Sequence, residues 1–170
     1  MISQHLLLVF FGFLGGALFA QNDQKSQQHD LEQLLSAAVP FAEQMLTKHG
    51  EFFPYGSSMD NDGKISAVGG YTGDEHPKSA EVIDLLRGAF RRDAEAGKIR
   101  ACAVVYDIRT VPPGKTEKTD AIAVELEHRR GMSIKVIYPY TIAADKRVTV
   151  AASYAVKGEG EVFAAGSHHP

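Results

Sequence analysis

Ile99-Arg100-Ala101-Cys102-Ala103-Val104-Val105-Tyr106-Asp107-Ile108 is the stretch on which the reading of this chain turns. Its apolar residues fill both alternating sets of positions, so it reads as a central strand covered on both sides. Upstream, Val82, Ile83, Leu85, Leu86, Ala89, Phe90 and Ala94 recur at helical spacing. Pro77 belongs in the first turn of that helix, Ser79 or His76 could cap it, and Gly97 ends it. Downstream, Ala121–His128 alternates: Ile122, Val124 and Leu126 face one way, Glu125 and Glu127 the other. A loop of Arg129, Arg130 and Gly131 pairs Leu126 with Ile134, Val124 with Val136 and Ile122 with Tyr138. The same register sets Glu125 opposite Lys135, a favourable cross-strand pair on the wet face.

Further toward the N-terminus, Phe52–Met59 and Lys64–Tyr71 read as a hairpin closed at Asn61-Asp62-Gly63. With Gly63 left-handed, Met59 pairs with Ile65, Ser58 with Ser66 and Phe53 with Tyr71. Before it, Leu31, Leu34, Leu35, Ala38, Phe41, Ala42, Met45 and Leu46 mark a helix capped by Asp30 and ended at Gly50. Pro40 inside that helix predicts a kink, or a helix that starts near it. Beyond Tyr140 the pattern fades: Val148–Val156 fits a strand or a short helix, and Glu161–Phe163 a short extended piece. The order α-β-β-α-β-β-β predicts a single α+β domain with an antiparallel sheet of about five strands, its two main helices packed largely on one face. It matches the layout of profilin-like and roadblock-like folds, in which the last meander strand returns beside the first hairpin, an analogy of fold alone.

The chain has 170 residues, enough for one domain, and a formal net charge of −3 carried wholly outside residues 1–20. A mildly acidic body offers no general attraction to nucleic acid or anionic lipid. The single cysteine, Cys102, excludes an intrachain disulfide. Leu6–Phe19 is an apolar run, short for a bilayer span, with small residues near Ala20 where a signal peptidase would cut. Residues 1–20 are therefore expected to be a signal peptide, giving a periplasmic or secreted protein with no membrane attachment after cleavage. Residues 21–30, Gln-rich and without a period, read as a flexible linker; 31–165 form the domain, and 166–170 a disordered tail.

Few residues point to chemistry. Asp60-Asn61-Asp62-Gly63 resembles half of a calcium loop, but the position that needs a bidentate Glu is Gly69, so a tight turn is the better reading. Asp74, Glu75 and His76 are the densest set of functional groups, able to bind a ligand or to cap the following helix. His128 shares the apolar face of its strand near a turn, and Cys102 reads as a buried thiol with no neighbouring cation to activate it. Tyr55 and Tyr71, with three further tyrosines on expected strands, suit either a core edge or a contact surface. The binding candidates are thus Tyr55, Tyr71, Asp74, Glu75, His76 and His128; no residue is assigned as catalytic or metal-ligating, and no cofactor is implied. The function expected is a non-enzymatic domain that binds a protein or a small molecule. The alternative is a small metal-assisted hydrolase built on Asp74, Glu75, His76 and His128.

Four segments, Phe41–Met45, His49-Gly50-Glu51-Phe52-Phe53-Pro54-Tyr55-Gly56, Gly73-Asp74-Glu75-His76-Pro77 and Thr119–Ile122, resemble a group of small uncharacterised bacterial proteins over about residues 38–140. The resemblance implies a bacterial domain and brings no activity with it. Members of that group often lack an export signal, so the first thirty residues here depart from the pattern.

Overall fold

In a computed structural model, which describes residues 13–74 and 77–163, the chain runs α1 (Phe13–His49), β1 (Tyr55–Asp60), β2 (Ile65–Gly69), α2 (Ser79–Glu95), β3 (Ile99–Thr110), β4 (Thr119–His128), β5 (Ser133–Ile142), β6 (Val148–Val150) and β7 (Tyr154–Lys157). Residues 1–12 of the expected signal and the tail 166–170 lie outside the described residues. The class is α+β, with one antiparallel sheet in the order β2-β1-β3-β4-β5-β6 and β7 also paired to β5.

β3 is buried from Ala101 to Tyr106 without interruption, as a strand apolar on both faces must be. Ala101, Ala103 and Val105 pack with Ile122, Val124 and Leu126 against Leu31, Leu34, Ala38, Ala42 and Leu46 of α1. Cys102, Val104 and Tyr106 pack with Ala123 against Val82, Leu86 and Phe90 of α2. The two helices therefore cover opposite faces, not one. β1 is antiparallel to both β2 and β3, so β2 and β3 run parallel with β1 between them, and α2 is the crossover that joins them. The crossover covers the face that α1 leaves open, and Glu125 and Glu127 are consequently not on a wet face but buried beneath it. The profilin-like and roadblock-like layout also fails: β3, the first meander strand, lies beside β1, and the last strands sit at the far edge.

Both glycine-closed hairpins take the expected registers, with Met59 opposite Ile65, Leu126 opposite Ile134 and Glu125 opposite Lys135. Gly63 and Gly131 supply the left-handed residues these loops require (φ 87° and 96°). The first ladder stops at Tyr55 opposite Gly69, so Phe53 and Tyr71 fall beyond it. At the other edge, the sheet gains strands through a break. β6 pairs Tyr140–Ile142 and β7 pairs Ile134–Ile137, two pieces laid along one strand with a shift of register between them. Pro139 sits at the junction, its carbonyl accepting from the N–H of Ala151 (2.8 Å). Having no N–H to return, a proline facing an outer strand interrupts the ladder there.

Gln21–Asp30 is not a linker: it is an integral part of α1, and Asp30 lies inside the helix rather than at its cap. Asp23 pairs with Arg130 (2.8 Å), Gln27 Oε1 accepts from the N–H of Met132 (3.2 Å), and Asp30 pairs with Arg100 (2.7 Å). Three polar side chains thus fasten this segment to the body. The helix also continues through Pro40 to His49, where Gly50 (φ 79°) donates its N–H to the carbonyl of Leu46 (2.8 Å). In α2 the N-cap is Lys78, not Ser79 or His76, and no side chain caps it. Its end is as expected: Gly97 (φ 67°) bonds Ala94 and Lys98 bonds Asp93, a Schellman closure.

Candidate functional site

The break opposite Pro139 and the long connection between β3 and β4 face each other across a groove of about 790 Å³. Pro112 and Pro113 of the connection, Pro139 and Tyr140 of β5 and Tyr154 of β7 give it flat apolar walls. Ala151 and Ala152 leave room where a continuous strand would present larger side chains, and Lys115 and Lys118 stand on the exposed loop. Tyr140 is fixed by a hydrogen bond from its hydroxyl to Asp107 Oδ1 (2.9 Å), and its carbonyl accepts from Thr119 Oγ1 (3.2 Å). Burial, then Asp107 itself, pushes the Tyr140 phenol well above its ordinary range, so it remains a donor. Burial also raises the Asp107 carboxyl, with the nearby Asp120 adding to it. Among the described residues the lining contains lysines, threonines, tyrosines and one carboxylate, Glu117, with no histidine or cysteine. Such a wall can bind by apolar contact and hydrogen bonding.

The densest ionic cluster lies elsewhere, between α2 and the sheet. Glu125 accepts from Arg87 (2.7 Å), from the Tyr106 hydroxyl (2.6 Å) and from Lys135 (3.0 Å). Burial alone would raise the Glu125 carboxyl, but these three donors together carry it below its ordinary value. Burial and the bond to Glu125 push the Tyr106 phenol up to about 12. Lys135 and Arg87 are lowered by burial and more than restored by Glu125, so both stay charged. Cys102 faces the same layer, its thiol raised by burial and by the two glutamates, which makes it unreactive.

A third cluster fastens α1. His128 is 3% exposed, with Nε2 3.2 Å from Asp30 and Nδ1 accepting from the backbone N–H of Arg130 (3.1 Å). That acceptor role places the ring proton on Nε2, toward Asp30. Burial holds the ring below its ordinary pKa despite Asp30, helped by Arg130 and Arg129. With both nitrogens engaged, His128 is a structural residue and has no free position for a ligand.

The other expected site residues are scattered. Tyr55 is buried, its hydroxyl bridging Ala38 and Ala42 of α1, so it belongs to the core rather than to a binding surface. Tyr71 is 79% exposed beyond the end of β2. Asp74 lies in the exposed loop before α2, its N–H donating to Thr72 Oγ1 (3.4 Å), while Glu75 and His76 lie outside the described residues. Among the described residues no hydrogen bond or ring contact joins Tyr55, Tyr71 and His128, and no group of three His, Cys, Asp or Glu could hold a metal ion. The groove residues were missed, although Pro112-Pro113 and the strand proline Pro139 signal it: prolines confine strands to edges and shape rigid loops. Among the described residues no helix is long and apolar enough to cross a membrane. No protein-family model, curated protein or solved structure matches this chain.

Proposed function

We propose that this chain is a non-enzymatic binding domain of an exported bacterial protein and that its ligand enters the groove at the broken edge of the sheet. The observation that supports the reading is the groove itself: about 790 Å³ of open space walled by three prolines and two tyrosines, with two lysines at the rim. That volume lies in the range of small-molecule sites, which are mostly apolar with a few polar groups to fix orientation. Export rests on the apolar run Leu6–Phe19 ending near Ala20. The ligand class that fits is a flat apolar molecule with an anionic end, the rings meeting proline and tyrosine faces and the anion meeting Lys115 or Lys118.

An aromatic sulfonate dye, anilinonaphthalene sulfonate, serves as the probe. It should bind the folded chain saturably at one site. Ala152→Glu, which sets a carboxylate in the groove, should weaken binding about tenfold or more, and Tyr154→Ala about threefold to tenfold. Binding that is unsaturable, or indifferent to both substitutions in a folded protein, refutes the proposal.

A further inference from the structure

β2 forms one edge of the sheet, and β1 is the one strand paired with it among the described residues. The carbonyl of Lys64 accepts from the N–H of Asp60 (3.1 Å), so Lys64, Ser66 and Val68 turn their backbone groups toward β1. Ile65, Ala67 and Gly69 turn theirs outward. Exposed edges are ordinarily guarded by charge, proline or a bulge. The opposite edge obeys that rule: it is broken across from Pro139 and carries Lys157 within β7 and Arg147 beside β6. β2 does not, for Ile65–Gly73 contains no charged residue and no proline, and its pairing with β1 is unbroken. Apolar groups flank this edge on both faces. Phe41 is exposed on the α1 side, its ring edge-on to Tyr55 (centroids 4.9 Å apart), and Tyr55 stands directly across from Gly69. On the α2 side Leu85 is exposed, and a Cβ on Gly70 would lie 3.7 Å from its Cδ2.

We propose that the β2 edge is the contact by which two copies of this chain join, their β2 strands pairing antiparallel about a twofold axis at Ala67. The strand is complementary to itself in that register. Ala67 meets Ala67 of the other copy and Ile65 meets Gly69, so every outward-facing residue forms a pair that exchanges both N–H···O bonds. A Cβ on Gly69 would meet nothing within 4 Å, so the incoming Ile65 side chain enters open space beside Tyr55 and covers Phe41. Charge favours the same arrangement. Glu81 and Arg92, four residues before and seven after Leu85, share its side of α2. Glu81 lies near the Gly70 end of β2, where Val82 would touch a Cβ on that glycine. Arg92 lies near the Lys64 end, because the chain runs on to Gly97, whose carbonyl accepts from Asn61 (2.8 Å). Each copy thus offers an acid at one end of the edge and two bases, Lys64 and Arg92, at the other. The twofold lays the acidic end of one copy against the basic end of its partner. Glu81 is otherwise 3.6 Å from the exposed Lys78, a pair of little worth in water. A strand of another sequence must match both ends separately, whereas a second copy matches them by symmetry. Five-residue strands with these flanks make a small interface, with a dissociation constant of about 1–100 µM expected. The groove lies at the opposite edge of the sheet, so dimerisation and ligand binding are tested separately.

Sedimentation velocity on the full chain should show a monomer–dimer equilibrium between about 1 and 300 µM. Ala67→Pro removes an outward N–H and none that faces β1, so the protein should stay folded while the dimer weakens about thirtyfold or more. Ala67→Lys and Ala67→Glu each bring like charges together at the axis. Either variant alone should be monomeric, and an equimolar mixture of the two should dimerise. That recovery is peculiar to this register, because residue 67 meets itself only there. A chain that stays monomeric up to about 300 µM overturns the proposal and leaves the edge to a strand of another protein. A dimer that folded Ala67→Pro leaves intact overturns it too, as does a mixture of the charged variants that remains monomeric. Should Ala67→Pro not fold, hydrogen exchange on the unaltered chain decides. The amides of Ile65, Ala67 and Gly69 should exchange about tenfold more slowly at about 300 µM than at about 1 µM. Rates independent of concentration overturn the proposal.

Discussion

Removing one oxygen atom from Tyr55 should reveal how α1 survives the proline within it. Pro40 has no N–H, and its ring presses on the carbonyl one turn back, so the helical ladder is loosened around it. The Tyr55 hydroxyl fills the gap, donating to the carbonyl of Ala38 (2.7 Å) and accepting from the N–H of Ala42 (3.1 Å). Burial, the dominant influence on this phenol, raises its pKa far above the ordinary value, so it is always protonated and able to donate. Ala38 and Ala42 are 2% and 0% exposed, so water has no access to replace the hydroxyl. Tyr55→Phe keeps the ring against Phe41 and Phe52 but leaves a buried donor and a buried acceptor unpaired, each costing about 1–3 kcal/mol. Partial closure of the helix recovers some of this, and a net loss of about 2–3 kcal/mol is expected. In Pro40→Ala the ring no longer holds the turn open, and Ala42 can bond Ala38 directly, so Tyr55→Phe should then cost less than about 1 kcal/mol. Urea unfolding followed by far-ultraviolet circular dichroism gives all four corners of this cycle, provided the m-values agree. A coupling of about 1–2 kcal/mol is expected, and additivity within about 0.5 kcal/mol would show that the hydroxyl does not compensate for the proline.

Other perturbations probe the remaining layers. Glu125→Leu should cost about 2–4 kcal/mol, because half-buried Arg87 loses its carboxylate and Lys135 keeps only the exposed Glu159. Since the Glu125 carboxyl is held below its ordinary 4.5, its contribution is complete above that pH and is lost as the pH falls through the lowered value. Thermal melts of the unaltered chain should decline in that window more steeply than those of the variant. His128 titrates below 6.5 in the fold, so the neutral ring's contribution is complete above pH 6.5 and fades as acid is added. His128→Asn should flatten the fall of the melting temperature as the pH drops below 6.5, and an unchanged slope would contradict the role given to the ring. A Cβ on Gly56 would lie 2.6 Å from Phe90 Cζ and 3.0 Å from the carbonyl of Ala103. Gly56→Ala should therefore cost about 1–3 kcal/mol in urea unfolding, with part recovered by adding Phe90→Leu.

The strands and their registers are legible because the side-chain period of a strand is two and a single register keeps the apolar groups together. Val124 opposite Val136 follows from alternation and from the left-handed glycine at Gly131. The same alternation misplaces Glu125 and Glu127. It tells polar from apolar positions, but it does not tell whether a second layer will bring Arg87, Lys135 and the backbone of Glu161–Phe163 to meet them. A polar face is wet only when nothing of matching charge is laid across it. The doubly apolar β3 already contained the correction, since a strand that needs cover on both sides is incompatible with two helices on one face.

The N-terminal half of α1 shows the same limit in a sharper form. Asp23, Gln27 and Asp30 are four and three residues apart, the spacing of one helical face. A count of apolar residues finds no period there and returns a linker. All three nevertheless reach the β3 and β4–β5 end of the sheet, where Arg130, the N–H of Met132, and Arg100 with His128 receive them. The stripe that docks this half of the helix is thus largely polar, continuing on the same face into Leu31 and Leu34. Amphipathic periodicity is a statement about which side chains find partners, and hydrophobic partners are only the commonest kind. Where the receiving surface is a hairpin end carrying arginines and a free backbone amide, carboxylates and an amide at helical spacing do the work that leucines do one turn later.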